Sequence, residues 1–172
     1  MKKKQIILTI LILNLNLCFA QTKYEIDFLL NKISETENSK SIVKIEETKQ
    51  IMNFGKKILP ILAEFFTDTI QTKVFSECQN RYLKKGEIAI IIADRIERMP
   101  YFTLTRIQNC ILSFCENNPN WIEYYLWAIN ENGMELFKKN YIIWLKYAKR
   151  KNFSLLKYSL KENKKNKQKT RK

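Results

Sequence analysis

Apolar residues recur along this chain at helical rather than alternating spacing, most densely between residues 86 and 115. In the run from Gly86 to Tyr101, Ile88, Ala89, Ile92, Ala93 and Ile96 fall on one arc at about 100° per residue. Glu87, Asp94 and Arg98 share a narrow opposing stripe flanked by Ile90 and Ile91. The pattern predicts a helix buried on most of its circumference. Met99-Pro100 ends it, because proline disfavours helical geometry in the residue before it. Leu104, Ile107, Ile111 and Phe114 then line one side of a second helix with Thr103 as its cap. Together they are expected to form a helical hairpin about a Pro-Tyr-Phe corner.

Similar spacing predicts the remaining elements. Ile26, Leu29, Leu30 and Ile33 mark a helix to about Glu35, and Ile42, Val43, Ile45 and Met52 a second, ended by Gly55 as a left-handed cap. Pro60 suits the first turn of a third, which carries Leu59, Leu62, Ala63 and Phe66. A helix from Thr72 to Leu83 would turn Val74, Phe75, Cys78 and Tyr82 inward and pair Glu77 with Arg81 on its surface. Asn118 and Pro119 open another through Trp121, Ile122, Tyr125, Leu126 and Ile129, and a last one runs from Met134 to about Lys151. The expected fold is all-α, built of stacked antiparallel helical hairpins or an irregular bundle.

One stretch resembles a known family. Gly55, Leu59, Pro60, Leu62 and Asp68, followed by another amphipathic segment to about Gly86, are similar to one unit of the HEAT-type helical repeat. The resemblance covers roughly 30 residues and implies paired antiparallel helices with no reaction attached. Lys73 stands where such units usually carry arginine, and no second copy follows at a fixed period.

The start of the chain changes the setting. Lys2 to Lys4, the apolar stretch Ile6 to Leu17 and the exit Cys18-Phe-Ala20 read as a secretory signal peptide over residues 1–20. The apolar part is short for a membrane span. The chain is therefore expected to be exported to the periplasm or beyond, with residues 21–160 forming one all-α domain and 161–172 a disordered basic tail.

Charge sharpens that division. Residues 21–145 hold 16 basic and 16 acidic side chains, whereas 146–172 hold 12 basic residues against Glu162 alone. The domain is neutral and its end is strongly basic. Lys146, Lys149, Arg150, Lys151 and Lys157 are the expected contacts for an anionic membrane surface or polyanion. The competing reading docks Phe137, Tyr141 and Trp144 on the domain and leaves only the lysines in water.

Chemistry is narrowed mainly by what is missing. The chain has no histidine and only three glycines, which removes Ser-His and Cys-His pairs and glycine-rich phosphate loops. No Cys-x-x-Cys occurs, so neither a metal nor a cofactor is expected, and small-molecule turnover is disfavoured. Glu87 and Asp94 are the remaining carboxylate pair for a hydrolase, but about 10.5 Å of helix separates their backbones, wide for a retaining mechanism and marginal for an inverting one. Asp94, Arg98, Tyr101 and Arg106 could instead converge as a polar binding site, or serve as ion pairs that hold helices in register. Cys78 is the sensible disulfide partner for Cys110 or Cys115, which lie too far apart on one helix to join each other; the alternative is three buried thiols. The function expected is that of an exported, non-enzymatic binding or scaffold protein whose partner is another protein. An immunity- or inhibitor-type protein occupying a toxin or enzyme is the alternative.

Overall fold

Every residue from Lys85 to Asp94 is buried, and the other elements are laid out to cover them. The computed structural model describes residues 22–107 and 118–147, and these are mostly helical with one small two-stranded sheet. In order they are α1 (22–33), a 3-10 turn Ser39–Lys44, α2 Glu46–Asn53, a 3-10 turn Gly55–Ile58 and α3 Leu59–Phe65. Strands β1 Gln71–Ser76 and β2 Arg81–Lys84 follow, then α4 Lys85–Ile96 and α5 Tyr101–Thr105. A 3-10 turn Trp121–Tyr125, α6 Leu126–Asn132 and α7 Met134–Tyr147 complete them. No described helix is long and apolar enough to cross a membrane.

Helix α4 is the axis of the core. It packs on α2, α3 and the 3-10 turn at 121–125, and Ile88, Ile90, Ile91 and Ile92 are wholly withdrawn from water. Each such side chain contributes roughly 1.5–3 kcal/mol gross. Gly86 is required where α4 begins: a Cβ there would lie 2.4 Å from the Phe66 carbonyl oxygen and 2.8 Å from those of Phe65 and Asp68. The absent side chain lets α4 start against the end of α3, and Gly86 N–H donates to the Asp68 carbonyl at 3.1 Å. Lys85, also buried, bridges Asp27 at 2.5 Å and Asp68 at 3.7 Å, tying α1 and the end of α3 to the same point. On the far side α7 docks through Phe137 and Tyr141, whose rings lie 5.9 and 5.0 Å from that of Phe66.

Several sequence expectations need correction, among them the helix expected to open at Asn118 and Pro119, which begins as a 3-10 turn at Trp121 and is α-helical only from Leu126. The helix from Thr72 to Leu83 is a β-hairpin, so the second helix that the HEAT-like stretch implied is not there. Thr72, Val74 and Ser76 alternate inward with a period of two, Asn80 takes the left-handed conformation in the turn (φ 51°), and the Thr72 hydroxyl donates to the Leu83 carbonyl at 2.7 Å. Strand β1 is also paired along its other edge, where Lys73 and Phe75 N–H donate to the Ser34 and Glu37 carbonyls. Glu77 and Arg81 consequently part: Glu77 pairs with Lys40 and Arg81 with Glu87.

The expected second helix also breaks at Ile45, which is extended between the 3-10 turn and α2. Finally, α5 begins at Tyr101, which puts Thr103 inside the helix and not at its cap, and it stops at Thr105 instead of continuing past Ile107, with Arg106 left-handed at its end (φ 60°). Its last carbonyls are taken by amides from the neighbouring helices: Asn140 donates to Leu104 at 3.2 Å and Asn132 to Thr105 at 3.4 Å. Ile111 and Phe114, residues 1–20 with their expected signal peptide, and the basic residues beyond α7 lie outside the described residues.

Candidate functional site

Two consecutive elements, β2 and α4, set the first feature of the site. The strand ends at Lys84 and the helix begins at Lys85, which places Glu87 in the first turn, where its carboxylate is favoured by the helix dipole. Glu87 is 0% exposed and fully engaged. Arg81 donates to it through both terminal nitrogens, at 2.8 and 2.6 Å, the Lys84 N–H at 2.7 Å and Asn130 Nδ2 at 2.8 Å. Burial pushes the Glu87 carboxyl up, but these donors outweigh it and hold the group below its ordinary range. Glu87 in turn raises the Arg81 guanidinium.

Above this pair lies an open cleft of about 520 Å³ between the hairpin and α6. Arg81 and Asn130 line it together with Gln71, Gln79 and Lys84. Tyr82, Trp127 and Glu131 complete the lining. Tyr82 is 53% and Trp127 56% exposed, an unusual amount of bare aromatic surface around one depression. The Tyr82 ring is held edge-on by Phe75, 5.4 Å away.

The second feature is the corner between α4 and α5. Asp94 Oδ1 accepts from the Met99 N–H at 2.8 Å and Oδ2 from the Tyr101 hydroxyl at 2.9 Å, so the carboxylate folds back over the chain that follows it. Burial raises its pKa, against the pull of those hydrogen bonds and of Arg98 and Arg95. Burial also raises the Tyr101 phenol, with Asp94 adding to the effect. Arg98 stands over the Trp121 ring at 5.4 Å, and Tyr101 stacks on Tyr125 at 4.6 Å.

A third buried carboxylate, Glu123, accepts from the hydroxyls of Ser39 (2.8 Å) and Ser76 and from Asn118 Nδ2 (2.8 Å). It joins the first 3-10 turn, the end of β1 and the segment before α6. The Asn118 amide also reaches Cys78 Sγ at 2.9 Å.

The structure therefore brings Asp94, Arg98 and Tyr101 into one cluster. Arg106 is exposed at the end of α5 and has no ion-pair partner among the described residues. Cys78 is disulfide-bonded, with Cys110 and Cys115 outside the described residues. Lys146 sits 5.8 Å from the Tyr147 ring in the last turn of α7, and Lys149, Arg150, Lys151 and Lys157 lie outside the described residues.

The cleft residues escaped the sequence reading because a helix over 72–83 sends Arg81 and Tyr82 in unrelated directions. The signal was the alternation of Thr72, Val74 and Ser76 ahead of Gln79-Asn80. No family model, curated protein or solved structure matches the chain.

Proposed function

We propose that this chain is an exported, non-enzymatic binding protein that recognises another macromolecule through the cleft between the hairpin and α6. The observation that carries the reading is the exposure of Tyr82 and Trp127 around a depression whose floor is already neutralised. Both Glu87 oxygens are occupied by three neighbouring residues, so the buried carboxylate of the floor is committed to holding the fold together and not offered to a substrate. Aromatic rings left in water are instead typical of surfaces that gain energy when something covers them.

In this reading the helices, whether an irregular bundle or hairpins stacked as in repeat proteins, are a scaffold that holds the cleft rigid. The basic residues from Lys146 onward form an electrostatic arm toward anionic surfaces. The test is photo-crosslinking in cells that make the full chain. A photoreactive phenylalanine in place of Trp127 is expected to trap an adduct that the same group at exposed Phe102 does not. Equal labelling from both positions, or none from either, would overturn the reading. The arm is tested separately: the full chain is expected to bind heparin with steep salt dependence, whereas a chain ended at Leu145 flows through.

A further inference from the structure

Two half-bare rings, three side-chain amides and a balanced set of charges meet in the cleft, and we infer that the macromolecule it recognises is a glycan, bound through a short neutral oligosaccharide segment. The inference rests on the reading of the cleft as the recognition surface and names its ligand class. The amides are the most specific element. Gln71 Nε2 donates to the Leu83 carbonyl at 3.3 Å and Gln79 Nε2 to the Glu123 carbonyl at 2.9 Å. Asn130 Nδ2 donates both to Glu87 and to the Leu126 carbonyl, each at 2.8 Å. Every one of these partners is an acceptor, so each amide is fixed with its nitrogen toward the protein. Its oxygen accepts from no described group and is left as an acceptor for a ligand hydroxyl.

Charge selects against ions. Arg81 is cancelled by Glu87 beneath it, and Lys84 is balanced by Glu131 on the opposite wall. A phosphate or sulfate would meet the Glu131 carboxylate, and an amine would meet Lys84 and Arg81. The several hydroxyls of a sugar suit both kinds of group, because each can donate to an amide oxygen or the carboxylate and accept from the ammonium or the guanidinium. The C–H face of a sugar ring is the apolar surface that Tyr82 and Trp127 lack. A cleft of about 520 Å³ lies within the ordinary range of small-ligand sites, roughly 300–1,000 Å³. A protein loop is the poorer fit: it would need a desolvated pocket for an apolar anchor, and this cleft is open with a polar floor.

The experiment is binding of the full chain to an array of neutral hexose and N-acetylhexosamine oligosaccharides, with sulfated and sialylated glycans alongside. It is run at about 0.5 M salt so that the basic end contributes little. Retention of at least one neutral oligosaccharide is expected, weakened about tenfold by Trp127→Ala and by Tyr82→Ala, the effect of removing one stacking ring. Phe102→Ala removes an exposed ring that does not line the cleft and is expected to change nothing. Near-UV circular dichroism of each variant establishes that it is folded. Retention of the charged glycans alone, of no glycan, or equal weakening by Trp127→Ala and Phe102→Ala would overturn the inference. Selection of displayed peptides separates the two failures. Peptides captured by the full chain and lost on Trp127→Ala would leave the binding reading standing with a protein ligand, whereas an empty selection and an empty array would remove both.

Discussion

Glu87 and Asp94 sit seven residues apart on α4, are 0% and 5% exposed, and differ in almost everything else. At the start of the helix, Glu87 meets a guanidinium, a backbone N–H and an amide, and its ionised form is favoured. At the other end Asp94 has two hydrogen bonds and only more distant arginines, and burial wins. Burial pushes both carboxylates toward the neutral form, and it does not by itself say which form the fold finally prefers. The donors within reach decide, and these are set by where the neighbouring elements come to rest.

The strongest way to break the comparison is Glu87→Ala. It strips Arg81, Lys84 N–H and Asn130 of a shared acceptor and is expected to cost about 3 kcal/mol in urea unfolding, at the low end for a buried pair because Arg81 can still turn to water. A cost under about 1 kcal/mol would show that the carboxylate is not holding the hairpin to the helix.

Asp94→Asn is expected to do much less near neutral pH, within about 1 kcal/mol, since the amide keeps an acceptor for Met99 and removes a buried charge. Its effect on pH dependence is more telling. The raised pKa means that the folded chain binds more protons than the unfolded chain above the ordinary aspartate value near 3.8. The Asp94 contribution to stability therefore declines as pH rises through the window between that value and the raised one. Glu87 works in the opposite sense, its contribution being lost as pH falls through the lowered pKa. Unfolding curves of the asparagine variant across this range should show the decline removed, and an unchanged slope would mean that Asp94 titrates normally.

The helix around which the fold is built was legible because Ile88, Ala89, Ile92 and Ala93 repeat with the period of a helix, and Pro100 marks its end. Helix α7 was legible for the same reason, and Phe137, Tyr141 and Trp144 are the side chains it buries. Asp94, Arg98 and Tyr101 could be grouped in advance because a short corner leaves them little room to separate. The cleft could not. Its residues come from the hairpin and from α6, more than forty positions apart in the chain, and local pattern carries no information about a partner that distant.

The hairpin itself shows where the boundary falls. Thr72, Val74, Phe75 and Tyr82 lean locally toward a strand, yet their spacing also fits one face of a helix, so the segment is too short for local preference to settle the matter. The choice belongs to the rest of the molecule, through the segment after α1 that pairs with β1 and through Glu87, which reaches back for Arg81. Amino-acid order determined the buried helix, its ends and the division between a neutral body and a basic end, because these depend on periodicity, proline and charge along the chain itself. Three-dimensional packing decided the sheet, the state of each buried carboxylate and the presence of a cleft, because each depends on groups that only folding brings within a few ångströms.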